Sequence, residues 1–417
     1  MLDVETIRGR FPALGRRKNG QSVAYFDGPA GSQVPESVAE AVAWYLLHTN
    51  ANCGAPFATS RETDATLASA RRAMSDLLGN DDPDEIAFGP NMTTLTFSVS
   101  RTLSQNWQPG DEIIVSRLDH DANFTPWVLA AERAGATVRF IDVHSEDCTL
   151  DQESYTNALS EKTRLVAIGL ASNAAGTINP VAKMAEQAQS VGALVYVDAV
   201  HAAPHQRMDV RSLRCDFLVC SAYKFFGPHV GILWGKRELL ETLLPDKLRP
   251  APMSVPGKWM TGTQNHEGIA GVEAAVDYLA AIGGSPDEAP RRERLNRAFE
   301  EIGRHERQLS DHFLRGLLGL PQFQVWGITD GSRLGERVPT FSLTHSSKTP
   351  RELSEQLAEQ GLFTWSGNHY ALPFTETLGL EPNGTLRVGC LHYNTIEEVD
   401  RLLESLRAIG ASPRRHA

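Results

Sequence analysis

The chain has 417 residues, a formal net charge of -11 and a 41% share of hydrophobic residues. Such a length accommodates a large core and two domains, and the negative charge argues against nucleic acid or an anionic membrane as partner. No apolar run approaches the roughly 20 residues of a membrane span, no Walker A, GxGxxG or HExxH pattern occurs, and Cys53, Cys148, Cys215, Cys220 and Cys390 form no CxxC pair, which removes the usual signature of a disulfide framework or a zinc site.

The first fourteen residues have an amphipathic helix pattern with early acids and lack the basic and apolar regions of a signal peptide, so a cytoplasmic protein is expected. Residues 22–33 read as a short strand entering a Gly-rich turn, followed by a helix at 35–48. The polar stretch 49–57, which carries Asn52 and Cys53, has no periodicity, and helical spacing resumes at 61–78. A strand at 84–89 leads into a helix opening at Asn91. There Thr93 and Thr94 offer either plain capping or an anion site built on free backbone N–H groups. Strands follow at 112–116, 137–142 and 164–169, with helices at 126–134, 151–160 and 181–190 between and after them. His120 and Asn173 lie just past two of those strands.

Apolar runs at 193–197, 216–220 and 231–235 look like buried parallel strands. The β–α alternation across 85–240 predicts an α/β fold with a large, doubly wound, mostly parallel sheet. A Pro-rich connection (249–259), the stretch 261–267 with Thr263 and His266, and a helix to about 282 come next. The Gly- and Pro-rich segment 283–290 is the expected boundary. Beyond it, a long helix at 291–317, strands near 322–326, 338–343, 362–365 and 385–391, and helices at 350–360 and 395–409 predict a smaller α+β domain. The expected division is an N-terminal helix (1–21) packing with the small domain, a large domain (22–284) and a small C-terminal domain (285–417), whose last six residues read as frayed.

Two of the apolar runs end in chemistry. Asp198 follows the first, and Ser221 and Lys224 follow the second, where open α/β sheets bind ligands. An amine and an acid at neighbouring strand ends suit pyridoxal 5'-phosphate, whose aldehyde needs an amine for a Schiff base and whose ring nitrogen needs an anion. Taken singly, Lys224 reads equally as a surface lysine and Asp198 as a helix cap. The Ser-x-x-Lys spacing of penicillin-binding enzymes lacks its SDN and KTG partners here.

The series formed by Thr93 and Thr94, DHDAN at 119–123, ASNAAGTINP at 171–180, His201 after VDA, SAYK at 221–224 before GP, and LRVGCLHYNT at 386–395 resembles the class V aminotransferase group of fold-type I pyridoxal phosphate enzymes. It is nearest to the cysteine desulfurase and selenocysteine lyase branch, in the right order from about 22 to 407. The resemblance implies that Lys224 holds the cofactor and moves the Cα proton, that Asp198 pairs with the ring nitrogen, that His120 stacks on the ring and that Asn173 reaches its phenolic oxygen. By the same resemblance His201 contacts the cofactor, Thr93, Thr94, Ser221 and Tyr223 hold the phosphate, a partner subunit supplies Thr263 or His266 in a homodimer, and Arg387 binds the carboxylate of a small amino-acid substrate.

Departures from the pattern bear on the reaction. Desulfurases of this branch carry a nucleophilic cysteine in a segment of the form GHHCAxP, and here the segment reads GNHYALP (367–373), with Tyr370 in the cysteine's place. His201 stands where the group usually has Gln, and Tyr223 where it has His. Cys390 lies on the other face of a strand from Arg387, and Cys215 and Cys220 read as buried hydrophobes. Cys53, with Asn52, sits on a loop resembling one that approaches the substrate. The expected function is a lyase cleaving at Cβ, with Tyr370 and His369 as proton donors. The alternatives are a desulfurase using Cys53, an aminotransferase or epimerase, and a non-catalytic cofactor-binding protein.

Overall fold

The computed structural model describes residues 2–411, so the expected frayed tail at 412–417 lies outside the described residues. Seven strands form the main sheet in the order Ile86–Gly89, Gly231–Gly235, Phe217–Ser221, Leu194–Asp198, Thr163–Gly169, Glu112–Ser116 and Thr137–Ile141. Alternate residues of these strands enter two cores. Ile114, Val166, Ile168, Val195, Val197, Leu218 and Ile232 face one layer of helices, while Ile113, Val115, Leu165, Ala167, Tyr196, Phe217, Val219 and Leu233 face the other. A sheet buried on both faces explains why its strands read as unbroken apolar runs.

The strand Gly231–Gly235 was expected to be parallel and is antiparallel to both of its neighbours. Its connection, 222–230, is too short for the crossover of about a dozen residues or more that a parallel neighbour needs. Gly231 is also a point of close approach: a Cβ there would lie 2.4 Å from the carbonyl carbon of Asn91. Only glycine lets the N-terminus of the helix Met92–Ser104 sit on this strand.

A second, antiparallel sheet has the order Phe323–Trp326, Thr340–His345, Thr385–Gly389 and Trp365–Gly367. The strand expected near 362–365 is two strands in two sheets, because Leu362–Phe363 pairs in parallel with Ala24–Tyr25. Ala24 and Phe26 accordingly belong to the core of the smaller sheet. The helix Arg291–Leu317 gives Leu295, Phe299 and Ile302 to one core and Leu309, Phe313 and Leu317 to the other. Two elements therefore cross the expected division.

The N-terminal helix is shorter than its pattern suggested. It covers Val4–Arg8, capped by Asp3, and a 3-10 turn over Pro12–Gly15 replaces the rest. Ile7 of the helix, with Phe11 and Leu14 after it, packs into the core of the large sheet, and Arg8 reaches the Tyr393 carbonyl and Glu398. No helix among the described residues is long and apolar enough to cross a membrane.

Candidate active site

Phe217–Ser221 is followed by a single 3-10 turn, Ala222–Lys224, which turns the lysine back over the strand ends. Leu194–Asp198 lies alongside, with Asp198 paired to Val219. Lys224 is buried and donates from Nζ to the carbonyls of Pro29 and Ala30, the latter at 3.2 Å. Burial and the nearby Arg387 charge push its pKa down to about 7, against the pull of Asp198 and Asp27. Asp198 accepts one backbone bond, from Val200 N–H to Oδ1 at 2.8 Å, and burial raises its carboxyl to about 6. An amine and an acid are thus held out of water with few internal partners.

A small cavity of about 70 Å³ lies over these strand ends, lined among others by Thr93, Asp119, His120, Asn173, Asp198, His201, Ser221, Tyr223 and Lys224. It shares walls with an outer cavity of about 420 Å³ that adds Phe97, Asp121, Thr125, Trp365, His369, Tyr370 and Arg387. Arg387 is fully buried, donates from Nη1 to the Asn173 carbonyl at 3.0 Å, and leaves its Nε without a partner. Asn173 donates from Nδ2 to the His369 carbonyl at 2.9 Å, and its Oδ1 is likewise unpartnered. Buried polar atoms are nearly always satisfied. These two orphans, one donor and one acceptor, mark places for the groups of a bound molecule.

The other expected residues divide into those that reach the cavities and those that do not. Ser221 lines the inner cavity, where its Oγ accepts the Met92 N–H at 3.0 Å, and Tyr223 stacks on His229. His201 lines it too, but its Nε2 is engaged by the Thr340 hydroxyl at 2.9 Å, a bond from the large sheet to the small one. Burial keeps both His201 and His120 uncharged, the latter down to about 3. Thr94 lines neither cavity, because its N–H and hydroxyl are taken by the Asn91 side chain in a helix cap. His266 is buried edge-on to Tyr45 within its own chain, whereas Thr263 is exposed. Asn52 and Cys53 line neither cavity, and the Asn52 side chain accepts the Cys53 N–H at 2.9 Å.

His369 differs from its expected role as a proton donor. Its Nε2 lies 3.2 Å from the Thr385 carbonyl, which can only accept, and 3.0 Å from the Thr385 hydroxyl. That hydroxyl donates onward to Ser342 and Ser342 to the Ala174 carbonyl. The proton therefore sits on Nε2, burial holds the ring neutral, and Nδ1 is a bare, unpartnered acceptor. Tyr370 stands on the rim, 74% exposed, its ring parallel to His120 at 5.6 Å between centroids.

None of the five cysteines lines either cavity. Burial drives the thiols of Cys148, Cys215, Cys220 and Cys390 well above their ordinary range, with Cys148 reaching about 12, which disfavours their thiolates. Cys53 is exposed.

Four residues at the site were not singled out in the sequence. Asp27, raised to about 6 by burial, lies within the field of Lys224 and Arg387. Asp119 accepts bonds from Asn123 and from the Gly169 N–H. Asp121 and Trp365 line the outer cavity. Asp27 ends an apolar run before a Gly-rich turn, the same signal that marked Asp198; Trp365 needed the strand register to be seen.

A doubly wound sheet with a buried lysine and acid at adjacent strand ends, facing an arginine from a second sheet, defines a fold-type I pyridoxal phosphate enzyme. The aminotransferase class-V family model matches residues 24–402, and the chain belongs to that family, whose typical cofactor is pyridoxal phosphate. A probable cysteine desulfurase of Streptomyces coelicolor is 32% identical over 428 residues, covering 98% of this chain and 97% of the relative. The aminotransferase-like protein FGM3 of Gibberella zeae is also 32% identical, over 98% of each. The solved apo structure of a cysteine desulfurase from Thermococcus onnurineus superposes with a TM-score of 0.86 at 26% identity, covering 98% of both chains. The chain is a cysteine desulfurase-like member of its family.

Proposed function

We propose that the protein is a pyridoxal phosphate-dependent lyase that removes the β-substituent of an amino acid without a persulfide cysteine. The observation that carries this reading is an outer cavity containing Lys224, Arg387 and Tyr370 and no thiol. When bound, the cofactor supplies an electron sink for the pair left on Cα. Lys224 would hold its aldehyde carbon and, with its amine lowered to about 7, would take the Cα proton near neutral pH. Asp198 would hold a proton on the ring nitrogen, and Asn173 and His201 would stand beside the ring. His120 would cover it, while Thr93, Ser221, Tyr223 and the helix opening at Met92 would receive the phosphate. Arg387 would take the substrate carboxylate through its unpartnered Nε and its fork in a charge-assisted pair. His369 Nδ1 accepts from the substrate, and the Tyr370 phenol protonates the leaving group.

Product analysis with the cofactor-loaded protein, L-cysteine and a thiol reductant tests the reading. The expected outcome is pyruvate, ammonia and sulfide, with slower turnover in Tyr370→Phe. Alanine with sulfide would overturn it in favour of desulfuration, for which Cys53 is the accessible thiol; Cys53→Ser would then stop turnover. We also assign the enzyme to a homodimer of two-domain chains, on the strength of an uncovered apolar helix face discussed below.

A further inference from the structure

We propose that the outer cavity selects β-substituted alanines whose substituent ends in a cation, an ammonium or a guanidinium, with Asp121 as the counter-charge. The inference rests on the lyase reading for the reaction and adds the class of substrate.

Two ends of the cavity differ in charge. At the inner end, beside Lys224, Arg387 carries the positive charge that suits a carboxylate. Toward the rim stand Asp121 and the rings of Trp365 and Tyr370. Asp121 forms no ion pair among the described residues; its Oδ1 accepts the Thr125 hydroxyl at 2.9 Å, and its N–H donates to the Tyr370 carbonyl at 2.6 Å. That backbone bond ties the acid to the loop carrying the phenol.

Strand register fixes the indole beside the arginine. Trp365 is the cross-strand partner of Arg387, so the two side chains project from the same face of the small sheet. Trp365 lines the cavity yet is 51% exposed. Aromatic faces beside an unpaired carboxylate form the environment that attracts a cation. A thiol gains nothing from it, and an anionic tail would be repelled by Asp121. With the α-carboxylate on Arg387, a distal cation places opposite charges at both ends of a zwitterionic substrate. The cavity of about 420 Å³ has room for such a chain.

The test compares S-(2-aminoethyl)-L-cysteine with S-propyl-L-cysteine, equal in length and differing in charge. Elimination from the first removes the Cα proton, breaks the Cβ–S bond and expels the thiolate, which is protonated to cysteamine. Hydrolysis of the remaining enamine by one water gives pyruvate and ammonia. The cationic compound is expected to have a kcat/KM at least about tenfold higher in the holoenzyme, the scale of a partly desolvated cation–π contact with a nearby carboxylate. The ratio should fall toward one in Asp121→Asn and decrease in Trp365→Ala. Calorimetric dissociation constants for the cofactor-loaded Lys224→Ala variant, which cannot start turnover, should show the same preference. Equal or reversed binding, or binding of neither compound, would overturn the substrate class. A binding preference without elimination would uphold it and sink the lyase reading instead.

Discussion

Lys224 is held between opposing influences. Burial and Arg387 favour its neutral form, while Asp198 and Asp27 favour the ammonium, and the balance sits at about 7 rather than the ordinary 10.5. The amine must be neutral to attack an aldehyde, so covalent loading of the cofactor-free protein should quicken roughly tenfold per pH unit below 7 and level off above it. Stopped-flow absorbance across pH 5–9 reads this directly; a rate still climbing steeply at pH 9 would mean an unperturbed lysine. Between about 7 and 10.5 the folded chain binds fewer protons at Lys224 than the unfolded chain does, so this group's contribution to stability rises with pH over that window. Residues of this kind were legible because a charged side chain directly after an apolar run is conspicuous. Asp121 and Trp365 were not, since their meaning depends on a neighbour distant in sequence: Tyr370 for the first and Arg387 for the second.

The loop carrying His369 and Tyr370 is built under strain. Both residues have left-handed backbone, φ 58 and 57, next to Gly367 at φ 121. Each such non-glycine costs about 1–2 kcal/mol, and the loop is held by bonds from Asn173 to the His369 carbonyl, from the Asp121 N–H to the Tyr370 carbonyl, and from His369 to Thr385. Strain retained in this way is characteristic of functional segments. Gly384 supports the loop from beneath, at φ +62, where a Cβ would lie 2.1 Å from the Gly367 carbonyl. Gly384→Ala should cost about 1–3 kcal/mol in denaturant unfolding and displace the loop. Amino-acid affinity should fall more than cofactor retention, because Lys224 and Asp198 stand on the other sheet. Equal loss of both would show that the loop does not act on the substrate alone. At this scale the apolar runs revealed the strands, but the direction of Gly231–Gly235 and the split at 362–367 depend on connection length and pairing partners, which hydrophobicity does not encode.

The large and small sheets are joined by more than proximity. His201 bonds to Thr340, Arg387 to Asn173, and residues 24–26 and 291–317 pack into both cores, so the site is assembled only when the whole chain folds. Among the exposed hydrophobic residues, one group clusters at a single helix. The helix Glu36–His48 buries Val38 and Tyr45 against its own chain, yet Trp44 is 56% and Leu47 is 78% exposed on its outer side, and Phe57 follows at 54%. The apolar residues of this helix extend beyond the face it buries, and neighbouring exposed rings and leucines mark an interaction surface. The sequence shows the apolar run at 41–47 but not which of its faces stays open. We assign this face to the second subunit, which would bring exposed Thr263 and the 49–57 loop to a neighbour's site. Leu47→Glu places a carboxylate in that contact. It should sediment as a monomer and retain less cofactor than the wild type, since the partner's contribution is lost while the fold, whose core this side chain does not enter, persists. A variant that stays dimeric with full cofactor would place the interface elsewhere, and a monomeric wild type would leave both cavities to a single chain, with Thr263 excluded from the site.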